Sequence, residues 1–400
     1  MQSFVHLANT FLQKAAAGKF PTLVAVAAMA AVTGAMAQAT IYGTLEQTYN
    51  KSTTTLDGTV ISQKTGIGEY QTGGSLIGFK GSEDMSNGIK ASYLYEMGVN
   101  LQTSASTYTN RQAFVGLSGG FGAVRIGKQY SAGFLNAVAA DPGGATGATG
   151  ALYLAPMTGY NGSEAPLRQD QAIQFDLPSF VPGLGITITK VWGGANTADL
   201  GAGGNTSGTD GVKTGDGTGW AIKYNTGPLY VGFTSDSVTN TGINFGYNDD
   251  AIAQTLTAAA VPATVNNLTA GSATSKNKLS TATITYDFGM AKVGYNQTKM
   301  AVGAEFLKAS MTSVSVPLGA ATVFYSASNG DINSTSGVDA SGADTSIGVA
   351  SLKGTQYGAN YALSKRTVAY IHAGRLTADL TDLVLIKKVN NYGIGIHHSF

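Results

Sequence analysis

The strongest constraint on this chain is a period of two. In Thr281-Ala282-Thr283-Ile284-Thr285-Tyr286-Asp287-Phe288, one set of alternate residues is Thr, Thr, Thr and Asp; the other is Ala, Ile, Tyr and Phe. Trp220, Ile222 and Tyr224 alternate with Ala221, Lys223 and Asn225. Gln171, Ile173, Phe175 and Leu177 alternate with Asp170, Ala172, Gln174 and Asp176. Successive side chains of an extended strand point to opposite faces, so such segments read as strands with one polar and one apolar face.

Soluble sandwiches alternate too, and connection lengths separate the two cases. Short turns are expected at Ser82–Asn87, Gly119–Gly122, Pro178–Gly183, Asn225–Pro228, Asp287–Met290, Val316–Ala320 and Leu363–Arg366. Long connections lie between them, at Lys51–Gly74, Gln129–Gln169, Gly193–Gly217, Asp236–Lys278 and Ala327–Lys353. Tight turns at one rim and long loops at the other are the pattern of a transmembrane β-barrel. Seven turns join fourteen strands, and one more at each end gives sixteen, an even number that brings both termini to the same rim. The fold expected is an all-β, antiparallel barrel of sixteen strands whose width leaves an aqueous channel. Trp192, Trp220, Tyr224, Tyr286 and Tyr295 suit its interfacial girdles.

The N-terminus has the build of a secretory leader. Lys14 and Lys19 precede an apolar stretch from Phe20 to Val32, and Ala35-Met36-Ala37 and Ala37-Gln38-Ala39 both match the small-residue cleavage pattern. The apolar run falls short of the roughly 20 residues a spanning helix needs. Residues 1–37 are therefore expected to be a cleaved signal peptide, with cleavage after Ala39 as the alternative, and 38–400 the mature barrel. Without the leader, 22 basic residues face 23 acidic ones. That leaves no basic excess to hold nucleic acid. The chain has no cysteine, hence no disulfide and no thiolate metal site.

Several blocks, taken in order, resemble the general porins of Gram-negative bacteria, most closely those of β-proteobacteria. They include Thr40-Ile41-Tyr42-Gly43-Thr44-Leu45, Ile77-Gly78-Phe79-Lys80-Gly81-Ser82-Glu83-Asp84 and Asn110-Arg111-Gln112-Ala113-Phe114-Val115-Gly116-Leu117. Arg168-Gln169-Asp170-Gln171-Ala172-Ile173, Leu363-Ser364-Lys365-Arg366-Thr367 and the ending Gly395-Ile396-His397-His398-Ser399-Phe400 complete the set. The resemblance implies a homotrimer of sixteen-stranded barrels in the outer-membrane lipid. It implies passage of small hydrophilic solutes and ions, and a third loop folded into the barrel.

The resemblance also implies wall arginines facing loop acids across a constriction. Arg111 and Arg168 match family wall arginines. Arg168 shares a face with Asp170, Ala172 and Gln174, whereas Arg111 shares one with the apolar Ala113 and Val115. Arg125 alternates with Val124 and Ile126 and should point inward. Asp141 and Glu164 are the acids of the long loop. Leu76 and Thr44 stand where many relatives carry positive charge, so the charged ring should be weaker than usual and its selectivity slight, toward anions. The simpler reading of each charge is a solvated lumen or loop residue.

Rival classes are a substrate-selective porin, a barrel hydrolase and a secreted adhesin. His372, His397 and His398 lie in predicted strands with no local triad spacing. No zinc or phosphate-loop motif is present, so no cofactor is expected. The composition of Gly201–Asp210 is compatible with a loop calcium, though a plain flexible loop explains it as well.

In the last strand Tyr392, Ile394, Ile396, His398 and Phe400 share one face, expected to meet lipid. In porins like those it resembles, a terminal aromatic is part of the signal read by the barrel-assembly machinery. The leader yields a first test. Intact mass of protein taken from outer membranes should match a chain beginning at Gln38 or Thr40, and a mass that includes residues 1–37 overturns the assignment.

Overall fold

The computed structural model describes residues 39–400 apart from 70–73, 103–108, 145–166, 193–215, 242–273, 303, 333–349 and 381–384. The expected leader, Glu164 and the Gly201–Asp210 loop lie outside the described residues. The strands run in the order β1 (Thr40–Leu56), β2 (Thr59–Gly68), β3 (Leu76–Asp84), β4 (Lys90–Gly98), β5 (Thr109–Gly119) and β6 (Gly122–Tyr130). A short helix, α1 (Ala132–Val138), precedes β7 (Arg168–Asp176), β8 (Leu184–Val191), β9 (Gly217–Thr226), β10 (Leu229–Thr241), β11 (Thr274–Asp287) and β12 (Lys292–Val302). Then come β13 (Ala304–Leu318), β14 (Ala321–Ile332), β15 (Ala350–Ala362), β16 (Thr367–Leu380) and β17 (Leu385–Ser399).

All seventeen segments join one antiparallel sheet, and β1 pairs with β17, so the sheet closes. The wall nevertheless has sixteen positions. β1 pairs with β3 through Thr40–Thr44 and with β2 through Thr48–Leu56, so β2 and β3 are two halves of one wall strand. Ser75 bridges the break. Its Oγ accepts from the Glu46 N–H at 3.0 Å and donates to the Glu46 carbonyl at 3.3 Å, replacing ladder bonds that would otherwise be lost.

The alternation sorts the two faces. Thr281, Thr283 and Thr285 are each 3% exposed, while Ile284 and Tyr286 between them are 46% and 40% exposed. The five predicted girdle aromatics all lie on the exposed outer face. Apolar groups outside and hydroxyls inside invert a soluble core, as lipid outside and water inside require.

All seven predicted tight turns join consecutive strands, from 85–89 after β3 to 363–366 after β15. Lys51–Gly74 was expected as one long connection, and here the structure corrects the reading. The chain stays paired to Leu56, turns at Asp57–Gly58 and returns as β2. Asp57 and Gly58 have φ of 46° and 86°. Positive φ at both central residues is the hairpin turn that Asp-Gly favours, so the signal was in the sequence.

The seam is completed by the last residue. Phe400 N–H donates to the Gly43 carbonyl at 3.1 Å and Gly43 N–H donates to the Phe400 carbonyl at 3.2 Å. Tyr392, Ile394, Ile396 and Phe400 all face outward, 42–60% exposed. The Phe400 ring occupies the space over Gly43, where a Cβ would fall 2.4 Å from the ring and 2.7 Å from the Leu76 carbonyl oxygen.

This seam generates two expected outcomes. Gly43→Val should cost about 1–3 kcal/mol of barrel stability through overpacking, measured by urea unfolding in lipid vesicles. Deleting Phe400 should lower the outer-membrane yield of folded barrel well below that of Tyr286→Ala. Equal yields by fractionation would show that Phe400 is one more girdle residue.

Candidate pore constriction

After β6 the chain leaves the wall and turns into the lumen. Ser131 starts α1 because its Oγ accepts from the Phe134 N–H at 3.0 Å. Asn136 then fixes the helix to the far wall. Its Nδ2 donates to the Gly232 carbonyl at 3.2 Å on β10 and to Thr281 Oγ1 at 2.7 Å on β11; its Oδ1 accepts from the Tyr230 hydroxyl at 2.9 Å. A Cβ on residue 232 would lie 1.9 Å from Asn136 Oδ1, so glycine there makes room for the anchor. Farther round, Ser313 on β13 donates to the Ala140 carbonyl at 2.5 Å and Gln356 on β15 donates to Asp141 Oδ1 at 2.8 Å. The described part of the third loop thus follows the inner wall from β6 to β15.

Across the lumen from these anchors, one polar cluster runs along the upper wall of β1, β4, β5, β6 and β7. Glu96 is its centre. Its Oε1 accepts from Arg111 Nε at 2.8 Å and its Oε2 accepts from the Tyr42 hydroxyl at 3.1 Å. The Tyr130 hydroxyl accepts from Arg111 at 2.8 Å and from Arg168 at 3.2 Å. The Arg168 guanidinium also lies 4.8 Å from the centre of the Tyr130 ring, which stacks on Phe134 of α1 at 5.0 Å. The Arg111–Glu96 pair is nearly enclosed, with side chains 11% and 8% exposed.

Backbone irregularities decide which side chains join. By strict alternation Arg111 would share the outward face of Val115, which is 60% exposed. The register shifts between Glu96 and Met97, and this bulge turns Arg111 inward to Glu96. On β7 the alternation predicted for Arg168 does not hold. Gln171 has φ of 47°, and Gln169, Ala172 and Gln174 are the buried residues. Asp170 is turned aside to pair with Lys128 at 3.1 Å. Arg168 reaches the cluster instead from the strand end, where Tyr130 pairs with it.

The remaining predicted residues are placed apart. Arg125 points inward but lies lower, opposite Gly116, where it pairs with Asp176 at 2.7 Å and Gln174 at 3.2 Å. Asp141 is held by Gln356, away from these arginines. Thr44 and Leu76 face each other across β1 and β3.

Sequence reasoning missed Glu96, Tyr130, Asp176 as a partner, and Asn136. Glu96 was findable, since Tyr93 and Tyr95 on the alternate face of β4 mark it as inward. Of the histidines, His372 Nε2 is 3.2 Å from Asn391 Oδ1 and His398 Nδ1 is 2.9 Å from Thr367 Oγ1.

Comparisons with known proteins agree with this architecture. The major outer membrane protein P.IB of Neisseria meningitidis serogroup A is 40% identical over 124 residues, which are 30% of this chain and 36% of that protein. The match therefore spans about a third of that relative. Among solved structures, the anion-selective porin from Comamonas acidovorans has a TM-score of 0.68 at 20% identity, covering 91% of this chain and all of that one. OmpT of Vibrio cholerae in a trimer form has a TM-score of 0.54 at 15% identity, covering 91% and 99%. At such identities the likeness is one of fold. The Gram-negative porin family matches residues 25–381, nearly the whole chain, and with the closed barrel described above this chain belongs to that family, whose place is the outer membrane.

Proposed function

We propose that this barrel is a water-filled pore for passive diffusion of small hydrophilic solutes and ions, exported with a cleaved leader and working as a homotrimer. The observation that carries the reading is the polar inner face, crossed by a loop that is hydrogen-bonded to the wall through Asn136, Ala140 and Asp141. A loop so anchored narrows the channel without sealing it. The trimer form of the Vibrio protein favours a trimer, whereas the outward residues of the early strands include the large Ile41, Leu45, Tyr49 and Tyr95 rather than the small ones expected. Barrel-assembly machinery would read the terminal strand with Phe400.

Selectivity depends on how the arginines are held. Arg111 is matched by Glu96 and Arg125 by Asp176, while the described partner of Arg168 is the neutral Tyr130. Two of three positive charges are therefore offset locally, and a weak preference for anions remains. A ring of charge acts on ions through its net field. The Comamonas porin, similar in fold, is named for anion selectivity.

Reversal potentials in planar bilayers under a salt gradient test this. Glu96→Gln keeps a hydrogen-bond acceptor for Arg111 but removes the negative charge, and should shift selectivity toward anions. Arg111→Ser and Arg168→Ser should shift it toward cations. Unchanged potentials in all three variants would remove the cluster from the conduction path. Asn136→Ala removes the acceptor of the Tyr230 hydroxyl, while Thr281 keeps its contact with the Thr234 hydroxyl, a cost of about 1–3 kcal/mol. It should loosen the loop and raise the noise of the open-channel current, with the barrel intact. Quiet currents like those of the unsubstituted protein would show that the anchor is dispensable.

A further inference from the structure

The inner wall from β14 round to β3 pairs bulk with its absence. Along one ladder row the inward residues of β14, β15, β16, β17 and β1 are Phe324, Gly358, His372, Gly393 and Asn50. A ring and a bare backbone thus alternate from strand to strand. A second row sets Tyr370 on β16 directly opposite Gly395 on β17, and a third sets Tyr42 on β1 opposite Gly78 on β3. In all four pairs the glycine is on the strand that follows the ring round the wall.

Each glycine is a socket for its ring. A Cβ on residue 78, 358, 393 or 395 would lie within 2.7 Å of Tyr42, Phe324, His372 or Tyr370 in turn. The rings therefore lie over the glycines, along the wall. Strand side chains otherwise stand roughly perpendicular to the sheet, which on this face means into the channel. Two of the rings cross their glycine and are tied beyond it. The Tyr42 hydroxyl donates to Glu96 at 3.1 Å, past β3 on β4, and the Tyr370 hydroxyl donates to Glu46, past β17 on β1. Tyr370 is 4%, His372 7% and Phe324 8% exposed, so these rings present almost no surface to the lumen. Glycine weakens a strand interior and marks a place where another group needs its space.

We propose that Gly78, Gly358, Gly393 and Gly395 set the calibre of the channel, by folding four rings into the wall and leaving their volume to solute. The proposal rests on the reading of this barrel as a diffusion pore, and it names what fixes the size limit of the hydrophilic solutes that pass. Charge selectivity stays with the arginine cluster. A methyl group in a socket drives its ring out by rotation about χ1, and the staggered positions left to the ring point away from the wall. At Gly393 and Gly395 the three atoms nearest an added Cβ all belong to side chains, so the ring can yield while the backbone stays.

The test measures unitary conductance in planar bilayers, together with the largest polyethylene glycol that enters the pore. Gly393→Ala and Gly395→Ala should each lower the conductance and the polymer size limit. Gly395→Ala/Tyr370→Ala should recover both, since the displaced ring is gone. Phe324→Ala should leave the conductance unchanged, because that ring already lies in the wall. This truncation adds no atom to the wall and decides the matter if the glycine variants fail to assemble. Unchanged conductance in both glycine variants overturns the proposal. A loss that persists in the double variant would mean that the wall itself had moved, and also overturns it. A rise in Phe324→Ala would place that ring in the channel, and overturns it as well. An unsubstituted barrel that passes no current overturns the pore reading, and the calibre proposal with it.

Discussion

Every feature of this chain depends on one requirement: backbone amides facing hydrocarbon must find their partners within the protein. An unpaired N–H or C=O in lipid costs several kcal/mol, and a sheet edge presents a whole row of them. The ladder between β1 and β17 removes the last edges, running from Thr44↔Ser399 to Leu56↔Lys387. The mutual bonds between Gly43 and Phe400 extend it by one pair. Ser75 answers the same demand where the second wall strand is broken. Closure in turn fixes which side chains see lipid and which see water, because the pleat leaves no third choice.

Given that wall, the lumen is organised by what the third loop can grip. Helix α1 is too short to hold itself together by its own hydrogen bonds, and a helix of this length has marginal intrinsic stability. It persists because Ser131 caps it and Asn136 ties it to β10 and β11. The wall accommodates this with Gly232, which lacks the Cβ that would strike the amide. Tyr130 links the two sides of the arrangement. It stacks on Phe134 of the helix and takes hydrogen bonds from both Arg111 and Arg168. Loop position and arginine position are therefore coupled through a single ring.

The wall was largely legible in the sequence, and the cluster only partly so. Turn chemistry and alternation are local, so the seven tight turns and the face of each regular strand could be read residue by residue. The Asp57–Gly58 hairpin was equally local but was absorbed into a loop, because the polar run around it masked the strand. Register is not local. That Glu96 meets Arg111, or Asp176 meets Arg125, depends on which residues of neighbouring strands lie side by side. The bulges at Arg111 and Gln171 carry no composition of their own, yet each one reverses the face assigned to the residues beyond it. The two arginines resembling family wall positions do meet at Tyr130. Arg111 does so against its apparent parity, and the parity that favoured Arg168 was broken by Gln171.

This contrast has a physical reason. A regular strand can place side chains only on the alternate positions of a pleat, at heights fixed by the ladder. Bringing Arg111, Glu96, Tyr130 and Arg168 within hydrogen-bonding reach requires side chains from three or more strands to converge at one height. Regular pairing alone does not provide that convergence. A bulge inserts one residue, twists the strand and re-aims the side chains beyond it, while the flanking ladder keeps the barrel closed. The irregular points at Arg111, Gly127 and Gln171 all lie on β5, β6 and β7, around the place where the chain leaves the wall for α1. The regularity that lipid demands and the irregularity that an ordered polar cluster demands are thus separated along the chain. β9 to β11 and β14 to β17 keep an unbroken ladder; the shifts at Thr54/Thr55 and Met300/Ala301 lie elsewhere, while the departures that build the polar cluster are those beside the loop that uses them.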